Sequence, residues 1–200
     1  MSEAEQELGV VFPAAYRDYL LRVSAGGKVA TLAKTDEGWW WEGNDTWRRA
    51  DLTVPFPHPD SYFDAEVALD AREPLAADFP DEASFKAAWQ AWDDEYGIHQ
   101  DHKTAGAIMI VEHGCNYAEY LAITGPLAGT VWWDGRASCD MIEMLSLDHA
   151  GDAQPVTFDQ WLEHDSANLL PPGWGRTADT PVNSPSPAGL PWGDPRRRRG

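Results

Sequence analysis

Cysteine is nearly absent. Cys115 and Cys139 are the two in 200 residues, too few for a disulfide framework, so a folded state has to be held by its core. Long apolar runs are missing too. No stretch reaches the roughly 18 residues of a membrane-spanning helix, and the N-terminal region lacks a basic segment followed by an apolar one. The expectation is therefore no membrane span, no signal peptide and a cytoplasmic location. Cations are scarce: 15 Lys and Arg stand against 33 Asp and Glu, for a net charge of −18. A body so acidic repels nucleic acid and anionic lipid and attracts basic proteins. The same charge also serves solubility alone. There is no glycine-rich phosphate loop, no H-E-x-x-H and no dinucleotide fingerprint, so no cofactor is expected.

What is present supports one globular domain, because 43% of the residues are hydrophobic and the length leaves room for a sizeable core. Near the N-terminus, Pro13 suits the first position of a helix, where its missing N–H costs nothing. Tyr16, Tyr19, Leu20 and Val23 then recur at one-face helical spacing, and Gly26 or Gly27 is placed to close that helix. Trp39, Trp40 and Trp41 follow in succession. Strand side chains alternate, so at least one of the three should be half-exposed. After a proline-rich loop, a second helix is expected over 81–96, with Phe85, Ala88, Trp89, Trp92 and Tyr96 on one face and Asp81 or Ser84 as its cap.

The segments 107–112, 117–123 and 130–133 are short, apolar and aromatic-rich, separated by turn residues. They read as a three-stranded antiparallel meander. A last helix starts near Thr157, where Thr157 and Gln160 suit a capping box, with Phe158, Trp161 and Leu162 as its buried stripe. The fold class is thus α+β: one domain over 1–170, a mainly antiparallel sheet and flanking N- and C-terminal helices. Residues 171–200 are rich in proline and glycine, end in four arginines, and read as a disordered tail. Trp174 is the one aromatic there expected to dock.

These pieces in this order resemble the SUKH superfamily, which includes yeast cell-wall-synthesis regulators and bacterial toxin-immunity proteins. The resemblance rests on the Leu8-Gly9…Pro13…Tyr16…Leu20…Gly26-Gly27 segment. It continues through Ile108–Val111, Gly114, the strand ending at Gly125, Gly129-Thr130-Val131-Trp132 and Phe158-Asp159-Gln160-Trp161. It implies a protein that binds another protein rather than turning over a substrate. The insert over about 39–103 has no counterpart in the pattern.

Candidate chemistry is thin. Cys115 beside His113 would need a base and an oxyanion pocket to act as a nucleophile, and no hydrolase signature surrounds it. A zinc site from His113, Cys115, Cys139 and His149 lacks the clustered spacing such sites use. Cys115 packing as a small hydrophobe and His113 bonding within a turn is the simpler reading, so neither catalytic nor metal residues are expected. The acidic stretch is more informative. Twelve carboxylates between Asp60 and Asp101 face only Arg72 and Lys86. Asp81, Glu82, Asp93, Asp94, Glu95 and Asp101 are the candidate partner-binding residues, set to meet a basic toxin domain of nuclease type. Asp93-Asp94-Glu95 would fall at the C-terminal end of the expected helix, against the helix dipole, either for a partner or on a frayed end. The alternatives are a carbohydrate-binding protein, which the tryptophans would suit, or a regulatory scaffold linked to cell-wall synthesis.

Overall fold

The aromatic, β-branched segment after residue 106 forms the centre of the molecule. In the computed structural model, which describes residues 1–23 and 27–174, β3 (Ala107–Gly114), β4 (Tyr117–Ala122), β5 (Val131–Asp134) and β6 (Ile142–Met144) follow in sheet order as an antiparallel meander. The first three strands match the expectation. A two-residue turn, Cys115-Asn116, joins β3 to β4 with φ of 51° and 63°, the double left-handed geometry that fits the twist of a hairpin. Alternation then divides the sheet. Ile108, Leu121 and Val131 align across one face; Met109, Tyr120, Trp132 and Met144 align across the other, with Glu112, Ala118, Asp134 and Ile142 in a parallel row.

The first face carries the main core. Against it lie α1 (Ser2–Leu8), α2 (Ala14–Arg22), α6 (Phe158–Leu162) and a separate hairpin of β1 (Leu32–Thr35) and β2 (Gly38–Trp41). Trp40 and Trp41 are buried while Trp39 is half-buried, as the alternation of three successive tryptophans requires. The indole N–H of Trp41 donates to the Tyr16 hydroxyl at 2.6 Å, both fully buried. In α6, Phe158 and Trp161 are wholly buried, and the Gln160 side chain accepts the Thr157 N–H at 3.0 Å.

Two expectations about the N-terminal segment are corrected. Pro13 is the residue before the helix, with ψ of 138°, and α2 ends on Val23 in extended conformation rather than on a glycine. Gly27 does not cap; a β-carbon there would strike the Tyr19 hydroxyl and press on Val23, so it permits a close approach. The left-handed glycine cap belongs to Gly9, with φ of 69°, at the end of α1. That helix, with only Ala4 and Leu8 buried, has too little pattern to be read in advance. Gly26 lies outside the described residues.

The insert builds a helical hairpin over the second face. Phe56 and His58 lie on the Trp132 ring, with centroids 5.5 and 5.8 Å away. Then α3 (Phe63–Asp70) and α4 (Glu82–His102) run antiparallel. The pairings that show this are Tyr62 with His99, the Trp92 indole N–H on the Leu69 carbonyl at 3.0 Å, and Phe79 with Phe85. The second helix extends past the expected end at 96 to His102. Gly97 costs a helix about 1 kcal/mol, but the following turn is anchored by Arg136 on the Gln100 carbonyl and by Lys103. Lys103 is fully buried, ion-paired to Glu66, bonded to the Asp140 carbonyl at 2.9 Å and set over the Tyr62 ring. The chain is a mixed α+β single domain. No helix among the described residues is long and apolar enough to cross a membrane.

Candidate functional site

Two features could meet a ligand: the outer surface of the α3–α4 hairpin and a cleft beneath the end of α4. The hairpin is lightly buried. In the 21 residues of α4 no side chain is buried; Trp89 is 38% exposed and Ile98 73%, while Val67 and Leu75 nearby in sequence are 48% and 62% exposed. The aromatic stripe expected on α4 does exist as a ladder, with Trp92 stacked on Tyr96 at 5.1 Å and Trp89 beside Trp92 at 6.4 Å. It is only half covered.

The acidic residues on this helix have different tasks. Asp81 caps α4, its carboxylate accepting the Ser84 N–H at 2.8 Å, which holds its pKa below the usual range. Glu82 pairs with Lys86 one turn on, and Glu95 forms a forked pair with Arg72 at 2.8 and 3.1 Å. Asp94 accepts from Gln90 at 2.8 Å. Asp93 has no ion-pair or hydrogen-bond partner among the described residues. Because α4 continues to His102, Asp93-Asp94-Glu95 stands in mid-helix, away from the negative end of the helix dipole. The end of the helix is instead followed by Lys103, a cation of the sign the dipole favours. At about 100° per residue the triplet fans around the helix, so Glu95 turns to Arg72 while Asp94 faces away. The six expected residues do not form one strip.

Asp101 sits beside Gln100, a residue that lines the other feature, and does not line it itself. It is half-buried; burial pushes its carboxyl pKa up, with Arg48 and Arg136 opposing the shift. Beneath it, the second face of the sheet opens into a cleft of about 510 Å³ whose floor is Met109, Ala118 and Tyr120. The small Ala118 between Glu112 and Asp134 in its row leaves the space. Asp134 and Arg136 form a fork across it, Nε to Oδ1 at 2.9 Å and Nη2 to Oδ2 at 2.6 Å. Arg48 donates to the Thr104 carbonyl at 3.0 Å and lies over the Tyr120 ring. Burial, with the field of Asp140 adding to it, pushes the Tyr96 phenol up to about 12. Apart from Tyr96, read as part of the aromatic face of its helix, these cleft residues did not stand out in the sequence. One usable signal was Asp134, a charged residue at the alternating position that Trp132 fills with a buried ring.

The remaining candidates separate. Cys115 is exposed on its hairpin turn, not packed as a small hydrophobe. His113 lies 2.9 Å from a carboxylate oxygen of the fully buried Glu119 and tilts against Trp133. Among the described residues no cluster of three or more His, Cys, Asp or Glu could hold a metal ion. Trp40, Trp41, Trp132 and Trp161 are core residues, leaving Trp47 and Trp89 as the more exposed rings. Trp174 packs at Gly135, where a β-carbon would meet its ring at 3.0 Å; residues 175–200, with the four arginines, lie outside the described residues. The chain matches no known family model, no curated protein and no solved structure.

Proposed function

We propose that this chain is a non-catalytic protein-binding module, an immunity protein that neutralises a basic toxin of nuclease type by docking on it. The observation that carries the reading is the α3–α4 hairpin: a 21-residue helix with no buried side chain, exposing Trp89 and Ile98 among carboxylates. Asp64, Glu73, Asp78 and Asp93 have no cationic partner among the described residues, and large apolar side chains left in water beside unpaired charge are the composition of an interface rather than of a core face. The net charge of −18 would speed encounter with a basic cleft and exclude its polyanionic substrate, with the exposed rings as anchors. The action would take place in the cytoplasm.

Charge reversal tests this. Asp93→Lys with Asp94→Lys removes two carboxylates that hold no part of the fold together through an ion pair. The double variant is expected to fold normally, to associate with a basic partner about tenfold more slowly at low salt, and to show a flatter salt dependence. Unchanged association and salt slope would contradict docking through this hairpin.

A further inference from the structure

The α3–α4 hairpin is held to the rest of the molecule at its base. Neither of the two apolar cores contains a residue of α3 or α4. In the two helices together, Leu69 is the one buried side chain. Among the described residues, the hydrogen bonds and ion pairs of 64–99 are made within 62–103. They include Trp92 to the Leu69 carbonyl, Arg72 to Glu95, Lys86 to Glu82 and Lys103 to Glu66. Ties to the body start at the last turn of α4. Arg136 donates to the Gln100 carbonyl at 2.5 Å, Lys103 to the Asp140 carbonyl at 2.9 Å and Arg48 to the Thr104 carbonyl at 3.0 Å. On the other side, Phe56 and His58 hold Trp132 before α3 begins. Between these points the cleft of about 510 Å³ separates Tyr96 and Gln100 from Met109, Ala118 and Tyr120 on the sheet. Atoms facing that space have no partner across it, so the joint gains little dispersion energy.

A helix pair without a core of its own does not survive release. Helical stability in water comes mostly from the packing of one face, and Gly97 lowers it further in α4. The two segments pack on each other through Tyr62 with His99, Phe79 with Phe85 and Trp92 with Leu69, so they melt together. The sheet loses no core contact by this, because its apolar clusters exclude the hairpin. We propose that the α3–α4 hairpin is a lid that opens as one cooperative unit while the sheet stays folded. Closed, it supplies Tyr96 and Gln100 as a wall of the cleft; open, it leaves Met109, Ala118 and Tyr120 to solvent. Opening needs no partner, so docking can fail while the lid behaves as proposed.

The test is native-state hydrogen exchange of the full chain, followed residue by residue by NMR in low concentrations of urea. Val67 and Leu69 of α3 and Ala88, Trp92 and Tyr96 of α4 should converge on one opening equilibrium. That opening should be at least about a hundredfold more frequent than the one that frees Ala122 and Val131, whose N–H groups bond within the body. Gly97→Ala, whose added β-carbon meets nothing within 4 Å, should slow α3 and α4 alike by about fivefold. Tyr16→Phe, in the first-face core, should speed Ala122 and Val131 and leave the hairpin's rates unchanged. If the hairpin amides instead speed up with Ala122 and Val131 in Tyr16→Phe, the hairpin opens only with the whole molecule, which overturns the lid. Slowing by Gly97→Ala confined to its neighbours in α4 would overturn it too, because the helices would then fray separately.

Discussion

Single residues show how closely polar groups are matched inside the main core. The Trp41 indole N–H has one partner, the Tyr16 hydroxyl at 2.6 Å; burial raises the Tyr16 pKa well above the ordinary tyrosine range, with that hydrogen bond opposing the shift. Tyr16→Phe keeps the ring contacts with Phe12 and Phe158 but leaves a buried donor unpaired. It should cost about 1–3 kcal/mol in a denaturant titration. Glu143 gives a pH signature. Burial pushes its carboxyl pKa up, with His149 and the Met144 N–H opposing. The folded chain therefore holds this proton more tightly than the unfolded chain, and the group's contribution to stability falls as pH rises through the folded pKa. Glu143→Gln should stabilise the protein at about pH 7 and make no difference at about pH 3, below the unfolded value. Equal effects at both pH values would exclude this account. Asp159 and Glu95, held low by Thr157 and Arg72, contribute in the opposite direction and lose their share on acidification.

At the scale of elements, one buried ion pair ties α3 to the end of α4, and Lys103 carries that tie to the Asp140 carbonyl next to the sheet. Lys103 is fully buried and Glu66 is its counter-charge. Glu66→Gln leaves that cation without its anion and should destabilise the fold by about 3–5 kcal/mol, whereas replacing Lys103 and Glu66 together by apolar residues should cost much less. Thermal unfolding of the two variants separates these outcomes. The legible elements were those with strong local pattern: α2, the start of α4, the three aromatic strands and α6. What stayed hidden had little pattern of its own. The helix α1 buries only Ala4 and Leu8, β6 is three residues long, and β1 has no fully buried side chain; α1 and β1 exist because the first face of the sheet offers a place for them, and β6 because the edge of β5 does. The end of α4 was hidden for the converse reason, since Gly97 reads as a stop and only contacts from Gln100 and Lys103 hold the chain helical beyond it.

Taken whole, the molecule covers its two sheet faces unequally. One face is closed by helices and carries Trp41, Trp161 and Phe158; the other is partly open and bordered by unpaired carboxylates. The acidity of the chain was plain in the sequence, and so was the acidic helix. The cleft was not, because its lining comes from single polar residues between Asp45 and Asp140 that only the strand register and the insert bring together. The central claim is that this acidic, lightly buried hairpin exists to dock a basic protein. Its most direct test is capture on the immobilised full chain from extracts of the organism of origin, at about 50 and about 500 mM salt, followed by reconstitution of any captured protein with the purified chain. A one-to-one complex with a strongly basic protein, lost at the higher salt and weakened by Asp93→Lys with Asp94→Lys, is the result the account predicts. No stoichiometric complex at either salt, or one indifferent to both salt and charge reversal, would contradict it.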